Sequence, residues 1–243
     1  MTVAFTINGV KVEAEAGDNV LDTARRYGFE VPSLCHHEAI VSYGACRMCL
    51  TEITRGKRKK ITTSCNYEVL PGIEVRTDTP EVRRHRAMVI ELILAEAPDN
   101  PVVRKLAAEY GVKEPRFKVN AEEARTRDGC ILCGLCARTC TEIVGVSAIT
   151  FRGRGDRREM GTPFVEEPKS CIACGACAWV CPTGCIRFVE EDGVRKVVRW
   201  GRELPLAKDE SGRPFAPQYQ LFHFRQITKD LPKDIFKKAP GDR

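Results

Sequence analysis

Residues 130–140, CILCGLCARTC, and residues 171–182, CIACGACAWVCP, decide how this chain is read. Both follow the spacing C-x2-C-x2-C-x3-C. Three cysteines this close can wrap three corners of a four-iron cube, while the fourth points away and reaches the neighbouring cube. On this rule Cys130, Cys133, Cys136 and Cys181 hold one [4Fe-4S] cluster, and Cys171, Cys174, Cys177 and Cys140 hold the other. Gly134 and Gly175 occupy matching places in the two runs, where the backbone must bend around a cluster. The runs form an internal repeat and predict a two-cluster domain over residues 126–190.

Working towards the N-terminus, a third group appears: Cys35, Cys46, Cys49 and Cys65, spaced C-x10-C-x2-C-x15-C. Four thiolates can bind a [2Fe-2S] cluster, two per iron. Zinc usually takes two close pairs, and this group has one. Gly44 and Ser42 would let backbone N–H groups approach the sulfurs, which raises a cluster's potential. The flanking pattern is that of a small α+β domain. Residues 3–7 alternate like a strand, Asn8-Gly9 is a hairpin turn, and Val10, Val12 and Ala14 alternate again. Asp18 reads as a helix N-cap, with Val20, Leu21, Ala24 and Tyr27 at helical spacing up to Gly28. Residues 49–53 and 72–77 supply further strands. The whole predicts a β-grasp ferredoxin domain over residues 1–78.

Between these domains, residues 79–125 read as a helical bridge. Pro80 opens one helix, whose apolar side is read as Val82, Met88, Val89, Leu92 and Ile93. Pro98 stops it, a second helix follows over Val102 to Tyr110, and Pro98 to Pro101 forms a joint. Residues 191–243 carry prolines and scattered aromatics, including Tyr219, Phe222 and Phe224, and read as an extended arm without its own core, packed on a partner.

Of the thirteen cysteines, only Cys185 falls outside the three groups, and it reads as a small buried hydrophobe. His36 and His37 adjoin Cys35, as a tuning pair or as a solvent-facing loop. His85 and His223 fit no metal pattern. The net charge of +6 is mild, and the basic runs Arg55 to Lys60 and Arg152 to Arg158 read as solvated turns without interleaved aromatics. These features argue against nucleic acid as a partner. No apolar run approaches the roughly 20 residues of a membrane span, and Glu13, Glu15 and Asp18 sit where a signal-peptide core would lie. A cytoplasmic protein without membrane insertion is expected.

Taken together, the C-x10-C-x2-C-x15-C group and the two cubane runs resemble the N-terminal region of the large iron–sulfur subunit of respiratory complex I. The same module occurs on the diaphorase side of NAD-linked hydrogenases, in NAD-linked formate dehydrogenases and in flavin-based electron-bifurcating complexes. The resemblance covers about residues 1–190. That family commonly carries a further cluster on a His-x3-Cys-x2-Cys-x5-Cys motif, whereas Glu96 to Val112 holds neither cysteine nor histidine. There is no glycine-rich dinucleotide loop, since Gly153-x-Gly155 lacks the remaining spacing. The resemblance implies FMN and NAD(P) on partner subunits: an NADH-binding flavoprotein and a further redox or catalytic subunit.

The expected function is a non-catalytic electron relay in an NAD(P)-linked oxidoreductase of the hydrogenase, formate or aldehyde dehydrogenase, or bifurcating transhydrogenase type. One competing reading is the iron–sulfur subunit of a succinate dehydrogenase or fumarate reductase, whose small-cluster spacing differs from this one. Another is a non-enzymatic redox sensor, which has little use for three clusters in a row.

Overall fold

The computed structural model describes residues 1–117, 128–230 and 232. It contains two compact units, Met1–Leu135 and Cys136–Arg243.

In the first unit, β1 (Thr2–Ile7) and β2 (Val10–Glu15) pair antiparallel. The turn between them is Asn8-Gly9, both at positive φ, as a two-residue hairpin of this kind requires. Alternation buries Val3, Phe5 and Ile7 on one face. The helix α1 (Val20–Arg26) is capped one residue later than expected, because the Asn19 side chain accepts the Asp22 N–H at 2.9 Å. Asp18 instead accepts from the Glu15 N–H and pairs with Arg26.

Strands β3 (Leu50–Arg55) and β4 (Arg58–Thr63) form a second hairpin whose tip is the exposed basic run. The short β5 (Glu74–Arg76) runs parallel to β1 and antiparallel to β3. The sheet order is β2-β1-β5-β3-β4. Val20, Leu21 and Ala24 of α1 pack on Phe5, Ile7, Ile53 and Val75, so the helix lies across one face of a mixed sheet, as in a β-grasp.

The bridge helices are α2 (Pro80–Glu96) and α3 (Pro101–Glu109), capped by Thr79 and Asn100. They belong to the first unit. The buried stripe of α2 is Val82, Arg86, Ile90 and Leu94, while Met88 and Leu92 are exposed. The face differs from the one read in the sequence because its centre is an arginine, which a hydropathy pattern assigns to solvent. Arg86 is 2 % exposed. Its Nε and Nη2 donate to the Leu50 carbonyl at 3.1 and 2.6 Å, and its Nη1 donates to the Tyr110 hydroxyl at 3.3 Å. One guanidinium therefore joins both helices to β3. The end of the expected bridge, from residue 118, and the start of the next domain, up to residue 127, lie outside the described residues.

The turn α4 (Leu135–Arg138) runs on into a π turn over Thr139–Ile143. The strands β6 (Thr150–Arg152) and β7 (Glu159–Gly161) pair antiparallel across the basic, glycine-containing turn. A further turn, α5, spans Ala176–Trp179.

Where an extended arm is expected from residue 191, the described residues fold. Strands β8 (Phe188–Glu191), β9 (Val194–Val197), β10 (Arg202–Lys208) and β11 (Pro214–Pro217) form an antiparallel sheet, followed by α6 (Gln218–Ile227). Val197, Trp200, Leu204, Leu206 and Ala216 are buried there. The prolines that suggested an arm include Pro214 and Pro217, which sit on the edge strand β11, where no full ladder is needed. Residues 231 and 233–243 of the expected arm lie outside the described residues. Among the described residues, no helix is long and apolar enough to cross a membrane.

Arg86→Met removes the donors to Leu50 and Tyr110 while keeping an apolar stem. Leaving those buried acceptors unmet should cost on the order of 1–3 kcal/mol. Anaerobic urea unfolding followed by far-UV circular dichroism should show a lower midpoint, and an unchanged midpoint would mean that the pin is not structural.

Candidate metal centres

The first site is built at the mouth of the β-grasp domain. Cys35 and Cys46 come from the loop between α1 and β3, Cys49 directly precedes β3, and Cys65 follows β4. All four are buried. Backbone amides face the sulfurs: Leu34 N–H donates to Cys46 Sγ and Cys46 N–H donates to Cys35 Sγ, each at 3.3 Å.

The thiols fall into two pairs. A hydrogen bond from Cys46 holds Cys35 down to about 6, and Cys46 is raised in return. A hydrogen bond from Cys65 likewise holds Cys49 down to about 6, and Cys65 is raised. Cys35 and Cys49 are thus the two thiols readiest to bind as thiolates.

The two pairs also belong to different apolar groups. Cys49 and Cys65 pack within the sheet core. Cys35 and Cys46 pack with Leu34, Met48, Ile90 and Leu94, against which Ile131 and Cys133 also rest.

Gly44 takes φ +70, and a Cβ there would lie 2.9 Å from Asn66 Nδ2, so this turn needs glycine twice over. The Ser42 hydroxyl meets His36 Nδ1 at 2.9 Å, while His36 Nε2 meets Asp22 Oδ1 at 2.7 Å. His36 is thus a buried bracket between α1 and the ligand loop, with its side chain 3 % exposed, and His37 is exposed. Spacing could not separate the two neighbours, because only the fold supplies Asp22.

In the second unit, Cys140, Cys171, Cys174 and Cys177 line one cavity together with Val197 and Trp200. Cys181 is not among its lining residues. Cys140 comes from the first run and the other three from the second, so the fold brings together the crossed set. Ala148 N–H donates to Cys140 Sγ at 3.2 Å. The backbones of Ala173 and Ala176 hydrogen-bond Cys171 and Cys174 and lower their thiols, against the larger upward effect of burial. Burial pushes the Cys177 thiol up to about 12. The two arginines Arg195 and Arg202 clamp the loop from outside, donating to the Ala173 carbonyl at 3.2 Å and to the Cys171 carbonyl at 3.0 Å.

The repeat is visible in the backbone of each run taken separately. Leu132 and Gly134 have φ +55 and +77, and Ala173 and Gly175 have φ +50 and +80. The glycines are legible in the sequence. Leu132 and Ala173 are not, because nothing in a leucine or an alanine announces a left-handed backbone.

Cys130 and Cys136 are buried, Cys133 is half-buried, and Cys181 is half-buried. Cys185 departs from the expected buried hydrophobe. It is half-buried and its sulfur lies 3.5 Å from that of Cys181, an interaction that raises the Cys181 thiol. No three His, Cys, Asp or Glu side chains among the described residues close on one point at single-ion distances. The ligands of a multi-iron core surround a body instead, each sulfur bound to one iron. Buried thiols met by inward-turned amides fit such a core.

Comparison with known proteins places both domains among iron–sulfur families. Residues 1–80 match the 2Fe-2S iron-sulfur cluster binding domain, and residues 129–196 match the 4Fe-4S dicluster domain. The chain is therefore an iron–sulfur protein in which a [2Fe-2S] domain precedes a [4Fe-4S] domain. Its relatives include the mitochondrial NADH-ubiquinone oxidoreductase 78 kDa subunit of Neurospora crassa, 30 % identical over 205 residues, which cover 76 % of this chain and 27 % of the relative. The NADPH-Fe(3+) oxidoreductase subunit alpha of Geobacter sulfurreducens is 32 % identical over 201 residues, covering 75 % of this chain and 24 % of the relative. The chain thus spans about a quarter of the length of these curated relatives. Among solved structures, a chain of an NAD+-reducing [NiFe]-hydrogenase in the H2-reduced state shares the fold with a TM-score of 0.56 at 24 % identity. That match covers 66 % of this chain and 75 % of the other.

Gly44→Ala should weaken retention of the two-iron cluster more than Gly56→Ala does. Both glycines are left-handed, but a Cβ at Gly56 meets nothing within 4 Å. The shared backbone penalty is about 1–2 kcal/mol, and only Gly44→Ala also displaces Asn66. Visible absorbance during anaerobic dialysis measures the retention. Equal losses from the two variants would show that the contact with Asn66 is immaterial.

Proposed function

We propose that this chain is an electron-relay subunit of an NAD(P)-linked oxidoreductase, passing single electrons between a flavoprotein and a second redox subunit. The observation that carries the reading is the convergence of Cys140 with Cys171, Cys174 and Cys177 on one cavity, the arrangement that crossed ligation of two cubanes demands. In this reading Cys35 and Cys46 hold one iron of the [2Fe-2S] cluster, and Cys49 and Cys65 hold the other. Cys130, Cys133, Cys136 and Cys181 hold one [4Fe-4S] cluster, and Cys140, Cys171, Cys174 and Cys177 hold the second. When bound, the clusters supply one-electron carriers, and a flavin on a partner divides the two-electron hydride.

The names of the relatives, which include NADH- and NADPH-dependent oxidoreductase subunits, support FMN and NAD(P) on partner subunits. The absence of a histidine–cysteine set from Glu96 to Val112 leaves three routes: a direct step from the small cluster to a cubane, passage through a partner's cluster, or a step switched by movement of a domain; the reading favours the direct step. The packing of Cys133 against the apolar group that contains Cys35 and Cys46 supports that step. A cytoplasmic location fits the same reading.

Anaerobically purified chain should carry about ten irons, from one two-iron and two four-iron clusters. In EPR, Cys46→Ser should remove only the two-iron signal. Cys181→Ser should damage the same cubane signal as Cys133→Ser, and Cys140→Ser the same one as Cys174→Ser. A Cys181→Ser variant that instead loses the signal sensitive to Cys174 would refute crossed ligation.

The chain alone should not reduce a dye with NADH. Steady turnover by the pure, flavin-free protein would sink the relay assignment.

A further inference from the structure

Trp200 closes the short turn that follows β9. It is 6 % exposed, and its indole is among the residues that line the cavity of Cys140, Cys171, Cys174 and Cys177. Its Nε1 is buried and meets no hydrogen-bond partner within ordinary distance and angle limits. A buried indole N–H usually finds one, and a donor left unmet in the interior destabilises the fold. The cavity it lines with Cys140, Cys171, Cys174 and Cys177 is where an acceptor for this N–H would lie. A cluster held in that cavity would supply one, since a thiolate or sulfide accepts hydrogen bonds well.

The fold makes this an arranged contact. Val197 and Trp200 face the cavity from the C-terminal sheet. Arg195 and Arg202, on β9 and β10, are tied to the carbonyls of Ala173 and Cys171 in the same loop. The sheet is thus registered on the cysteine loop at two points, and the indole lies between them in sequence.

We propose that Trp200 sets the reduction potential of the cluster held by Cys140, Cys171, Cys174 and Cys177, by donating its indole N–H to a sulfur of that cluster. The inference rests on the ligand set proposed above. Reduction adds one electron to the cluster and makes its sulfurs more basic, so a fixed donor stabilises the reduced form more than the oxidised one and raises the potential. Trp200 is a tuning residue: it binds no iron, and its removal leaves the ligand count unchanged.

The test is an EPR-monitored redox titration of the full chain, purified anaerobically, as wild type, Trp200→Phe and Trp179→Phe. Trp179 is 86 % exposed and serves as the control for loss of an indole. Trp200→Phe should favour the oxidised form about tenfold, a shift of about −59 mV for one electron. The shift should be confined to the cubane signal that Cys174→Ser abolishes, and Trp179→Phe should leave that signal in place. An unchanged midpoint in Trp200→Phe with full iron content overturns the inference. If Trp200→Phe fails to retain its clusters, wild-type and Trp179→Phe protein labelled with 15N at the indole decide the matter. A 15N coupling to that cubane signal in both supports the contact, and its absence from both overturns it. Fewer than ten irons in the wild type, or no cubane signal sensitive to Cys174, overturns the ligand assignment itself and this inference with it.

Discussion

A sulfur anion inside a protein has to be met by N–H groups, and the peptide backbone is the densest supply of them. That constraint shapes every cysteine loop in this chain. An amide can face inward on a tight curve only if some residues take the left-handed conformation, which costs a non-glycine residue about 1–2 kcal/mol. The loops accept that cost at Arg47, Leu132 and Ala173 as well as at Gly44, Gly134 and Gly175. What results is a set of donors already aimed at Cys35, Cys46, Cys140, Cys171 and Cys174.

Loops under such strain need rigid walls. In the N-terminal unit the walls are the sheet core, which takes Cys49 and Cys65, and the packed helices, which take Cys35 and Cys46. Arg86 makes these two walls one body. Its guanidinium holds the carbonyl of Leu50, the residue after Cys49, and the hydroxyl of Tyr110 at the end of α3. Each stretch with a side of its own in the sequence, sheet or helix pair, therefore contributes half of one site. In the C-terminal unit the wall is the β8–β11 sheet, clamped to the loop by Arg195 and Arg202. The segment that looks least like a domain in the sequence completes a pocket there.

Much of this was legible from residue types and spacing. The cysteine runs point to a two-iron domain followed by a four-iron domain, the order that residues 1–80 and 129–196 match, because thiolate number and spacing follow closely from iron coordination. The β1–β2 hairpin was legible from Asn8-Gly9, and the basic hairpin tip from its charge. The buried stripe of α2 was misplaced because its central residue, Arg86, is buried only by virtue of a carbonyl 36 positions away in the chain. The helix start was displaced by one residue, since Asp18 and Asn19 are both good caps and the choice turned on Arg26 and Asp22. The C-terminal sheet was missed because its strands are short, carry charges at alternate positions and include prolines, a pattern that a free arm shares.

The sequence by itself determined the iron–sulfur chemistry and the order of the two cluster-binding domains, because those depend on which ligands exist and how far apart they lie along the chain. The tertiary structure alone decided which cysteines share a pocket, that His36 is a bracket between Asp22 and Ser42, that the bridge helices belong to the N-terminal unit, and that the indole of Trp200 lines the cavity of Cys140, Cys171, Cys174 and Cys177. These are contacts between residues distant in the chain. Spacing constrains local geometry within a few residues, whereas the meeting of distant groups is set by how sheets and helices pack, which no short motif records.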